Sequence, residues 1–219
     1  MNNKKSVIII IVLIAIIAVL VVVCLRTCRK NDVMPSVESE DASQTPTDIC
    51  AHLNTLLNTV GYPVILTVKT TEDGNVFNGN YTITEHGDVR AADYSYEKLS
   101  TFEIGDDDVV IPEDFKTTYT GRIKIKDGKI IEQNGAALNV AIEALNVRGL
   151  ALPTSALTNV KAERGLFSAD ITSLKTVTGL DLAASDAKIN ITYTDAKITT
   201  IVLSYSTTSY HTEMTYRFG

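Results

Sequence analysis

The sequence predicts an α+β protein in which a single N-terminal transmembrane helix precedes a curved, half-barrel-like antiparallel β-sheet covered by a few helices. Three observations carry this expectation. Val7–Leu25 reads VIIIIVLIAIIAVLVVVCL, without a charge, a proline or a glycine. Beyond Pro63, stretch after stretch alternates apolar and polar side chains with a period of two, the mark of half-buried strands. Almost every such stretch joins the next by a short connection, which only antiparallel neighbours allow.

As a helix, Val7–Leu25 reaches about 28 Å, close to the hydrocarbon thickness of a bilayer. It lacks the polar stripe of a soluble core helix. Lys4 and Lys5 precede it, as in the charged start of a signal peptide, and Arg26, Arg29 and Lys30 follow it as a basic flank. No A-x-A-like cleavage site follows, so residues 1–30 are assigned as an uncleaved signal-anchor that meets the membrane through residues 7–25. Very little chain precedes the run, which leaves one side for a folded domain. The expected location is a cell membrane, single-pass, with the C-terminal domain outside the cytoplasm. Cys24 opens a lipoprotein alternative, but Val21, Val22 and Val23 lack the small residue that such a signal places next to its cysteine. Residues 31–46 (NDVMPSVESEDASQTP) form a flexible acidic linker of prolines, serines and acids with no apolar period. Glu38, Glu40 and Asp41 suit a solvated tether better than a metal site.

Residues 47–219 form the β-rich domain. Thr47 is the expected N-cap of an opening helix whose face carries Ile49, Leu53, Leu56, Leu57 and Val60, with Gly61 ending it and His52 and Asn54 turned away. Cys50 lies beside that face as a small apolar residue. Pro63–Thr71 alternates Val64, Leu66 and Val68 with Ile65, Thr67 and Lys69. Residues 72–75 form an Asp-Gly turn, Val76–Glu85 a second strand and His86–Asp88 a second turn. Val89–Ile104 reads as a long strand, completing a three-stranded meander. Gly105–Lys116 is a loop. Thr117–Lys126 and Lys129–Gln133 make a hairpin about Asp127-Gly128. Leu138, Ile142 and Leu145 are spaced for a helix within residues 134–152, bounded by Gly149 and Pro153. A short helical turn at Ser155–Asn159, a hairpin of Val160–Arg164 with Leu166–Thr172, and a short helix in Ser173–Ala184 follow. Lys188–Thr194, Lys197–Tyr205 and His211–Phe218 are the last strands.

Composition excludes several functions. The chain carries a net charge of −6 and no basic stripe, which argues against nucleic acid as a partner. There is no P-loop, no Gly-rich dinucleotide fingerprint and no G-x-S-x-G elbow, so no cofactor, metal or catalytic residue is assigned and the protein is read as non-enzymatic. His52, His86 and His211 fall on a helix, a turn and a strand edge. The acidic residues Glu103, Asp106, Asp107, Asp108, Glu113 and Asp114 offer oxygen to a hard cation, yet lack EF-hand spacing and serve equally as a solvated loop. Cys24, Cys28 and Cys50 make no disulfide framework. Asn80-Tyr81-Thr82 and Asn190-Ile191-Thr192 match the glycosylation pattern, which matters only in a eukaryotic secretory pathway.

The aromatic set Phe77, Tyr81, Tyr94, Tyr96, Tyr119, Tyr193, Tyr205 and Tyr216 is the remaining lead. On a curved sheet these rings either line a cavity for a hydrophobic ligand or fill the core beneath the helices. RGLFSADITSLKTVTG (residues 164–179) followed by KINITYTDAKITTIVLSY (residues 188–205) runs strand, short helix, then a hairpin with an acidic turn. This order resembles the bacterial lipoprotein carriers, namely the periplasmic lipoprotein-localisation carrier and the mycobacterial lipid-binding lipoproteins. The resemblance implies a half-barrel whose cavity holds acyl chains, and it transfers no functional residue. A lipid or other apolar ligand is therefore the expected partner beside the membrane. A structural or protein-interaction module of the envelope, with protein partners unspecified, and a hydrolase with an unseen site are the alternatives.

Overall fold

The computed structural model describes residues 45–72, 75–99 and 116–219. Helix α1 spans Pro46–Asn58, and its N-cap is Thr45 rather than Thr47. Asp48 N–H donates to Thr45 Oγ1 at 3.3 Å while Thr45 N–H donates to Asp48 Oδ2 at 3.2 Å, a capping box with Pro46 in the first turn. The proline fixes φ and needs no donor there, so the helix starts one residue before the expected cap. Ile49, Cys50, Leu53, Leu56 and Leu57 are buried, as the 3.6-residue period requires. Asn54, expected to face away, instead holds the main chain of Leu152, whose N–H donates to Asn54 Oδ1 at 2.8 Å.

Ten strands follow: β1 (Val64–Glu72), β2 (Asn75–His86), β3 (Val89–Leu99), β4 (Lys116–Lys126), β5 (Lys129–Gly135), β6 (Leu157–Glu163), β7 (Leu166–Ile171), β8 (Ser185–Tyr193), β9 (Ile198–Ser206) and β10 (Tyr210–Phe218). They form one antiparallel sheet in the order β5-β4-β3-β2-β1-β10-β9-β8-β7-β6. Two meanders are thus zipped at the centre by β1 and β10, in unbroken register from Val64 opposite Phe218 to Glu72 opposite Tyr210. Period-two side chains make one face apolar. Val64, Leu66 and Val68 of β1 are buried there with Tyr81 and Ile83 of β2, Ile201 and Leu203 of β9, and Met214 and Tyr216 of β10. Across the opposite face runs a row of small polar residues in register: Thr120, Ser95, Asn80, Thr67 and Thr215.

This architecture corrects the α+β class with a spanning helix. The described chain is mostly a ten-stranded antiparallel sheet, and its α-helices are only α1 and α2 (Leu174–Thr178). Among the described residues no helix is long and apolar enough to cross a membrane. Residues 7–25, residues 31–44 of the linker, Cys24, Cys28, the turn at 73–74, the end of the long strand at 100–104 and the acidic loop lie outside the described residues, while Thr45 and Pro46, expected in the linker, cap and open α1.

The helix expected within residues 134–152 is replaced by 3-10 turns at Ile142–Leu145 and Val147–Gly149, preceded by an extended strap at 136–141. Leu138, Val140 and Ile142 all pack against the core, so the strap obeys a two-residue period instead of the helical spacing. A third 3-10 turn occupies Thr154–Ala156, after which β6 begins. Helix α2 is capped by the Ser173 side chain and closed by Gly179 in the left-handed region, at φ 80°. Gln44–Gly219 form a compact unit.

Candidate functional site

The aromatic side chains separate into groups with different work. Tyr94 OH donates to Ala136 O at 2.5 Å and Tyr96 OH to Ala137 O at 3.2 Å. Tyr81 OH donates to Asn139 Oδ1, and Tyr216 OH to Ala144 O at 2.9 Å. Four hydroxyls therefore meet the strap and the turn after it in chain order. A connection lying across the apolar face has main-chain groups that no ladder satisfies, and a tyrosine standing on the sheet supplies the missing donor from a largely apolar body.

Two glycines make this possible. A Cβ on Gly79 would stand 2.7 Å from the Tyr81 ring, and one on Gly121 2.5 Å from the Tyr94 ring. Each ring lies flat over the bare backbone of a glycine, Gly121 being the cross-strand partner of Tyr94. Flattened in this way, Tyr81 and Tyr94 stack on each other with centroids 5.8 Å apart. Burial is the main cause that pushes the Tyr81 and Tyr216 hydroxyls well above the usual tyrosine range.

The strap also walls a cavity of about 350 Å³ that opens beside it. Its floor comes from neighbouring positions on four central strands: Val68 and Thr70 of β1, Phe77 and Gly79 of β2, Tyr205 of β9, and Thr212 and Met214 of β10. Asn139, Val140 and Ala141 form the strap side, and Leu182, Tyr210 and Glu72 complete the rim. Thr70 and Thr212 share a hydrogen bond of 3.0 Å between their hydroxyls, so the buried Thr212 is satisfied by the half-buried Thr70. Burial, followed by the neighbouring Tyr210, also raises the Tyr205 hydroxyl.

Of the eight aromatic residues singled out in the sequence, Phe77 and Tyr205 line this cavity. Tyr81, Tyr94, Tyr96 and Tyr216 tie down the strap. Tyr119 stacks on Tyr96 at 4.8 Å and is 37% exposed, and Tyr193 stands edge-on to His52 beneath α1. Val68, Met214 and Tyr210 were missed as a group, although the alternation placed the first two on the inward face. The strap was missed because Leu138 and Ile142 fit both a helical and an extended spacing.

Other chemistry is sparse. Ser206 Oγ and His211 Nδ1 lie 3.0 Å apart across the β9–β10 hairpin, exposed, and no carboxylate bonds to His211 among the described residues. Such a pair lacks the orienting third group of an activated nucleophile. No group of three His, Cys, Asp or Glu side chains among the described residues is placed to hold a metal ion. Cys50 is buried, which pushes its thiol up and away from reactivity. No family model matches the chain, and a search of curated proteins finds no match.

Proposed function

We propose that residues 45–219 form a non-enzymatic domain at the outer face of a cell membrane, where they bind a small hydrophobic ligand in the cavity beside the strap. The apolar run at residues 7–25 supports the location. The cavity itself supports the binding role. It is concave and half-open, and its volume of about 350 Å³ falls at the low end of ligand-sized pockets. Val68, Met214, Phe77 and Tyr205 give it apolar walls, while its two threonines are already paired with each other.

The rival reading, an envelope interaction module that pairs through a sheet edge, has weaker support. Edge strand β5 exposes Ile130 and Ile131, but it also carries Lys129, Glu132 and a register shift opposite Lys124 and Ile125. Charges and irregular register discourage the addition of another strand.

The test uses N-phenyl-1-naphthylamine, a neutral probe that fluoresces in apolar surroundings. Saturable binding to the folded protein is expected, and Ala141→Trp should abolish it, because Ala141 is an exposed residue at the cavity wall. Binding that fails to saturate, or that survives Ala141→Trp in a protein with unchanged melting behaviour, would remove this function.

A further inference from the structure

The chemistry of the cavity rim goes further than its size. We propose that the ligand is an amphiphile whose polar head is an ammonium group, with Glu72 as its partner. This inference rests on the binding role proposed above and concerns only which amphiphile the cavity accepts.

Among the described residues, Glu72 is the one charged side chain lining the cavity. It ends β1 at the rim, paired through the backbone with Tyr210 of β10 and Asn75 of β2. Among the described residues its carboxylate has neither an ion-pair nor a hydrogen-bond partner, although it is half-buried. Of the other polar groups, Thr70 and Thr212 bond each other and Asn139 Oδ1 takes the Tyr81 hydroxyl. Lys98 is held over the Phe77 ring at 5.5 Å from its centroid and does not line the cavity.

An apolar tail resting on Val68 and Met214 would therefore present its head to the half-buried Glu72 carboxylate. There an ammonium is attracted and a carboxylate or phosphate repelled, more strongly than in bulk water. Selection by the rim is thus selection by charge, since the floor offers every tail the same apolar contact.

Three ligands with one tail separate the head from the rest: octylamine, octanol and octanoate, titrated calorimetrically into the full chain. Octylamine is expected to bind at least about fivefold tighter than octanoate, with octanol between them. Glu72→Gln, with its melting temperature unchanged, should bring all three together. Octanoate binding as tightly as octylamine overturns the proposal and leaves the apolar cavity standing. A preference for octylamine that survives Glu72→Gln also overturns it, since the head is then held elsewhere. Loss of octanoate binding on Lys98→Met would assign the head to Lys98 and overturn it equally. If none of the three saturates, the binding role falls, and the head-group proposal with it.

Discussion

Gly79 and Gly121 set the geometry of the tyrosines, and so of everything the tyrosines hold. At 2.7 Å and 2.5 Å from the nearest ring atoms, an added methyl has no room unless a ring moves. Tyr81 and Tyr94 are buried, so the rings cannot swing into solvent without opening the core. Gly121→Ala should therefore cost about 1–3 kcal/mol, the usual range for overpacking. Combining it with Tyr94→Leu should cost less than the sum of the two single changes. Denaturant melts of the four proteins check this, and strict additivity would mean that ring and glycine do not compete for the same space. The buried hydroxyls carry a second consequence. Tyr81 and Tyr216 keep their protons more tightly folded than unfolded. The folded state then holds more protons than the unfolded one above the ordinary tyrosine value of about 10, so stability falls as pH rises from there. Tyr216→Phe should be less stable at neutral pH by about 1–3 kcal/mol, because Ala144 O loses its donor. It should also lose less of its remaining stability between neutral and strongly alkaline pH. A parallel pH dependence in both proteins would refute the assignment.

At the scale of elements, the strap is the least self-sufficient part of the covered face. Ala136 N–H bonds Thr120 O at 2.8 Å and Ala144 N–H bonds Ala141 O at 3.1 Å, but the groups between lean on tyrosine side chains. The double change Tyr81→Phe, Tyr96→Phe should raise amide hydrogen exchange over residues 137–143 while β1 and β10 stay protected, as expected of a local opening. Equal loss of protection in the central strands would mean that the hydroxyls serve the whole fold instead. Much of the element list was legible. Val64, Leu66 and Val68 announce β1 by alternation, and Leu53, Leu56 and Leu57 announce α1 by helical spacing, because local patterns report local faces. The strap defeated the same logic. Leu138, Ile142 and Leu145 suit a helix, Leu138, Val140 and Ile142 suit an extended chain, and the choice is made by hydroxyls from β2, β3 and β10. The cavity was legible only in part, since alternation turns Phe77 and Tyr205 inward without saying what lies opposite.

The whole molecule closes at a seam that no local pattern could show. Val64 lies opposite Phe218 across the β1–β10 pair, so the centre of the sheet joins the two ends of the domain. The flanking pairs β2–β3 and β8–β9 are, by contrast, hairpins between consecutive strands. Closing a long loop costs chain entropy before any contact repays it, whereas hairpins close early. The rate-limiting step is then expected to contain the β2–β3 hairpin and to lack the seam. Ile83→Ala in β2 and Met214→Ala in β10 each remove a buried side chain, at a cost of about 2–5 kcal/mol. Ile83→Ala should appear mainly as slower folding and Met214→Ala mainly as faster unfolding in denaturant-dependent kinetics. If Met214→Ala slows folding by nearly its full equilibrium cost, the seam forms in the transition state. The two meanders would then not be independent halves joined late, because the central pairing itself would organise them.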